Sequence, residues 1–122
     1  MKTYSKRIKR LLREYATEAH ERELHRELTK VEASFAEWRQ GSICSGELDH
    51  RIHTYKTGPA RELYKRYNYG EIDLAVAYAI VAGVLAEDDV PTELLEAISG
   101  PIGFYLSWQE EGKLRAADDF GS

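Results

Sequence analysis

The chain has 122 residues, 43% apolar and 31% charged, which suits one globular domain and excludes a disordered polymer. Its net charge of −4 is unevenly divided: residues 1–70 carry 15 Lys+Arg against 10 Asp+Glu, and residues 71–122 carry 2 against 11. The lone Cys44 rules out an intramolecular disulfide, and the longest apolar run, Leu74–Ala86, has thirteen residues where a membrane span needs about 20, so the sequence predicts a soluble, cytoplasmic protein.

Residues 4–39 contain no Gly and no Pro and are rich in Glu, Arg, Leu and Ala, which predicts one very long helix or two joined ones. Two apolar stripes run along it. Ile8, Leu11, Leu12, Tyr15 and Ala19 form the first; Leu24, Leu28, Val31, Phe35 and Trp38, at spacings of 4, 3, 4, 3, form the second. At about 100° per residue the two point to nearly opposite sides. A straight helix cannot bury both against one neighbour, so the pattern predicts a bend near residues 19–23 or an N-terminal arm, residues 1–20, that packs on a partner. The second stripe reads as core-facing.

Residues 40–46 form a loop, after which Ser45 is placed to cap a helix over 46–56 with Leu48, Ile52 and Tyr55 buried. Pro59 suits the first turn of a helix running to about Tyr67. Residues 71–86, apolar on all sides, read as a buried central helix, with Glu71 and Asp73 favoured by the dipole of its first turn. Pro91 opens a short helix to Ile98, Ser99-Gly100-Pro101 breaks it, and residues 102–108 close the core. Residues 109–122 read as a polar, partly disordered tail. The predicted fold is therefore all-α, a single-domain bundle of about five helices over residues 1–108.

No stretch carries a catalytic or cofactor signature, and the reading leans against an enzyme. His50-x-x-His53 places two imidazoles on one helix face, the only spacing that suggests a zinc or iron site. Di-iron bundles need a Glu-x-x-His from each of two helices and the sequence has a single one, Glu47–His50, so surface histidines are the favoured reading and no cofactor is expected. Arg51, Lys56, Arg61, Lys65 and Arg66 interleave with Tyr55, Tyr64, Tyr67 and Tyr69, a band able to clamp phosphates or stack on bases. The acidic overall balance makes nucleic acid the lesser reading. Six bases among the first thirteen residues, with no acid, give an amphipathic segment (Lys2–Tyr15) whose apolar face is small for membrane anchoring. The leading expectation is a non-enzymatic helical protein that acts by association, as a homodimer or with a partner protein, through Ile8, Leu11, Leu12, Tyr15, Arg61 and Lys65. The alternatives are a metal-binding protein or enzyme built on His50 and His53, and a nucleic-acid or anion-binding module built on the Arg51–Tyr69 band.

Overall fold

A computed structural model describes residues 3–120, so Lys2 lies outside the described residues, as does the end of the tail at 121–122. The first helix, α1, runs without interruption over Lys6–Arg39. Ser5 caps it, its Oγ accepting from the Ile8 N–H at 3.2 Å, one of the free first-turn donors. Thirty-four residues at about 1.5 Å rise each make it roughly 50 Å long, longer than anything that packs on it.

Five further α-helices follow among the described residues: α2 (Ser45–Thr57), α3 (Pro59–Asn68), α4 (Ile72–Val81), α5 (Thr92–Ala97) and α6 (Ser99–Glu110), with a single 3-10 turn at Glu87–Asp89. No strand forms among the described residues, so the all-α reading holds. The two halves of α1 meet different neighbours. One core joins Leu11, Leu12, Ala16 and Ala19 of α1 to Leu63 and Tyr67 of α3, to α4, and to Leu94 and Ile98. α4 is the centre of this core: Ala75, Val76, Ala77, Tyr78 and Ala79 are all buried, and small residues let α1 and α6 approach its backbone. α2 and α3 pack on each other as a hairpin, and both meet α1, α3 near its middle through Leu63 and Tyr67 and α2 farther along through Arg51.

The helix is unbroken through residues 19–23, and the two stripes exchange roles. The stripe offered to a partner lies inside, with Leu12 and Ala19 almost fully enclosed and Ile8 and Tyr15 partly so. The stripe expected to face the core lies at the surface: Leu28, Phe35 and Trp38 are 48%, 36% and 39% exposed. The inward positions of α1 are Leu12, Ala16, Ala19, Glu23, Glu27 and Ser34, an almost unbroken row at helical spacing. The face is therefore conserved along the helix, and its chemistry changes from apolar to polar.

Other boundaries move for local reasons. The central helix ends at Val81, five residues before the expected end, because Gly83 adopts a left-handed φ of +85°. The Val84 N–H then bonds the Ala79 carbonyl and the Gly83 N–H bonds that of Ile80, which closes the last turn. Ser45 is not the cap of α2. Cys44 holds that position, and the Ser45 hydroxyl instead accepts from Trp38 Nε1 at 3.0 Å. The break expected at 99–101 falls at Ile98, and Pro101 sits within the first turn of α6, where its missing N–H costs nothing.

The C-terminal segment, expected to fray, returns across the fold. Tyr78 donates to the Arg115 carbonyl at 2.6 Å, Arg66 donates to the Ala117 carbonyl at 3.1 Å, and Phe120 packs against the core. Among the described residues no helix is long and apolar enough to cross a membrane.

Candidate functional site

Two features distinguish the second half of α1. The first is the polar seam beneath it. Glu23 is 1% exposed and Glu27 is 5% exposed, burial that a carboxylate tolerates only with partners. Arg66 of α3 donates to Glu23 at 2.7 Å, and the Tyr67 hydroxyl donates to its other oxygen. Burial, reinforced by that bond to a carboxylate, pushes the Tyr67 phenol far above its usual range, so it stays protonated as a donor. Arg26 and Lys30 reach Glu27 at 2.8 and 3.0 Å. Farther along, Arg51 of α2 spans Ser34 at 3.2 Å and Glu37 at 2.7 Å. The α2–α3 hairpin brings arginines and a tyrosine to α1, and α1 meets them with acids.

Arg66 also lies over the Tyr78 ring at 4.9 Å and the Phe120 ring at 5.7 Å, so the C-terminal segment covers the ion pair and lowers its exposure to water. His20 stacks on Tyr67 with ring centres 5.3 Å apart. Burial holds its imidazole below the usual value, although Glu23 and Glu21 pull the other way.

The second feature is the apolar stripe left outside. Leu24 and Val31 are partly buried along its inner edge, while Leu28 and Phe35 form its outer edge. Phe35 and Trp38 meet edge to face at 6.3 Å, and the indole is anchored by Ser45. Spacings of 4, 3, 4, 3 are those of a coiled-coil seam. Glu21 and Arg39 stand exposed near the two ends of the stripe, neither with an ion pair among the described residues.

Of the residues singled out in the sequence, Ile8, Leu11, Leu12 and Tyr15 are packed within the chain. Arg61 is exposed on α3, and Lys65 pairs with Glu62 at 3.7 Å. His50 and His53 are exposed on α2, and the fold brings them no third ligand: no group of three or more His, Cys, Asp or Glu among the described residues is placed to hold a metal ion. The basic and aromatic band is partly neutralised from within, Arg51 by Glu37 and Glu47, Lys65 by Glu62, and Arg66 by Glu23. No protein-family model matches the chain, and no curated protein and no solved structure is significantly similar to it.

Sequence reasoning missed Glu23 and Glu27 as inward residues. One signal was present: they continue the row Leu12, Ala16, Ala19 at spacings of 4 and 4. Residue type outweighed periodicity, because isolated acids are almost never fully buried unless paired.

Proposed function

We propose that this is a non-enzymatic helical protein that works by self-association, and that its contact is the exposed stripe of α1. The single observation that carries the reading is a heptad-spaced row, Leu24, Leu28, Val31, Phe35 and Trp38, whose members Leu28, Phe35 and Trp38 remain exposed on an otherwise folded domain. A large apolar row at the surface lowers its free energy by packing against another such row. A second copy supplies one.

The charges favour an antiparallel pair about a two-fold axis at Val31. Leu24 then lies near Trp38 of the other copy and Leu28 near its Phe35. The exposed Glu21 of each copy comes beside the exposed Arg39 of the other, so two opposite-charge pairs flank the seam. A parallel pair would set Glu21 beside Glu21 and Arg39 beside Arg39. The polar seam supports the same contact from behind: the Glu23–Arg66 and Glu37–Arg51 ion pairs, with the Arg51–Ser34 bond, tie α1 to the α2–α3 hairpin.

Cysteine cross-linking tests the arrangement. In a Cys44→Ser background, Val31→Cys is expected to form a disulfide between copies under mild oxidation, and Arg61→Cys, away from the stripe, is not. Equal cross-linking at both positions, or none at Val31, contradicts the pairing.

A further inference from the structure

We propose that the groove between α1 and the α3–α4 corner binds a small alkyl carboxylate, a free anionic amphiphile; this goes beyond the self-association reading and rests on different residues. Two clefts adjoin there and share Arg13 and Ile72. The larger, of about 610 Å³, has Leu12 at its base, with Ile72 and Leu74 along α4 and Lys9 and Arg13 along α1. The smaller, of about 360 Å³, sets Arg13 and His20 of α1 opposite Arg66 and Tyr69, and no carboxylate lines it. Volumes of several hundred Å³ are those of small-molecule sites, and a mainly apolar lining with a few polar groups is their usual character.

The charges identify the ligand. Lys9 and Arg13 stand one helical turn apart on the same side of α1, and neither forms an ion pair or side-chain hydrogen bond among the described residues, whereas Arg7 on another side is bound by Glu93 at 2.8 and 2.9 Å. The acids of the larger cleft are Glu71, on the rim, and Asp73. Asp73 is already bonded, accepting from the Tyr4 hydroxyl at 2.6 Å and from the Leu74 N–H at 2.8 Å. Arg66 is compensated by Glu23, which leaves Arg13, where the clefts meet, as a cation with no ion pair among the described residues. A carboxylate head therefore fits the acid-free cleft against Arg13, and an alkyl body lies along Leu12, Ile72 and Leu74. An alcohol of the same length supplies the body without the charge.

Calorimetric titration of the full chain with octanoate, 1-octanol and phosphatidylglycerol vesicles tests this, with amide NMR shifts as the map. Octanoate is expected to fill one site, with shifts centred on residues 9–20 and 66–74, and 1-octanol to bind at least about tenfold more weakly. Arg13→Gln should weaken octanoate by about tenfold or more, since a charge-assisted bond is lost. Lys9→Gln should weaken it less, and Arg61→Gln not at all. Circular dichroism melts confirm that each variant is folded. Leu28→Glu should bind octanoate normally, so failure of the self-association reading and failure of this one are separable. Equal binding of 1-octanol, undiminished binding by both groove variants, or binding to vesicles without binding to octanoate overturns the proposal.

Discussion

The two halves of α1 present the same geometric face to the domain and fill it with opposite chemistry. Before residue 20 the inward row is Leu12, Ala16 and Ala19, and what it meets is apolar: Leu63 of α3, Leu94 of α5, and Val76 and the alanines of α4. After it the inward row is Glu23, Glu27 and Ser34, and the neighbours α2 and α3 bring Arg51, Arg66 and Tyr67. What a helix buries is decided by what faces it. The apolar residues displaced from the inner row of the second half are then free to face outward, and the first half has no such surplus.

The comparison breaks most sharply at matched leucines. Leu12→Glu places an unpaired charge in the apolar core and should cost about 4 kcal/mol or more, enough to unfold a domain of this size. Leu28→Glu, at a site 48% exposed, should change the stability of the isolated subunit by no more than about 0.5 kcal/mol. Urea unfolding at low protein concentration checks both.

Next in size is the polar seam. Glu23→Ala leaves the buried Tyr67 hydroxyl without its acceptor and the partly buried Arg66 with the Ala117 carbonyl but no counter-charge, an expected loss of about 3 kcal/mol. The triple change Glu23→Leu, Arg66→Met and Tyr67→Phe removes Glu23 together with both of its α3 partners and should recover most of it. If the triple variant melts as low as the single one, the seam is not a paired network. Smaller again is Gly83→Ala. No atom stands near an added Cβ, so the cost is that of the left-handed backbone alone, about 1 kcal/mol by thermal melting.

The smallest expected effect is on pH. Burial keeps the folded His20 imidazole neutral to lower pH than in the unfolded chain, so unfolding takes up a proton below about 6.5. Stability should fall as pH drops through that value toward the lower folded one, and His20→Gln should flatten this part of the curve. An unchanged slope would place the acid sensitivity elsewhere.

Much of the fold was legible because it rests on local rules. The long helix follows from a Gly- and Pro-free run, α3 from Pro59, and the central position of α4 from its all-round apolar surface. Three features were not legible for physical reasons. Gly83 inside a small-residue run resembles a packing site until its φ is known. The tail looks polar because its contacts are made by backbone carbonyls, which sequence does not distinguish. Glu23 was hidden because its partners, Arg66 and Tyr67, lie more than forty residues away. With the acids assigned outward, the stripe beside them was assigned inward, and a bend, a break or a partner was needed to cover both stripes.

Sedimentation equilibrium over a concentration series measures the central claim most directly, with wild type and Leu28→Glu, Phe35→Glu run side by side. The account predicts a two-subunit mass for wild type that dissociates on dilution, and a single-subunit mass with unchanged helicity for the double variant. A wild type that stays monomeric at every concentration, or a double variant that still pairs, would contradict it.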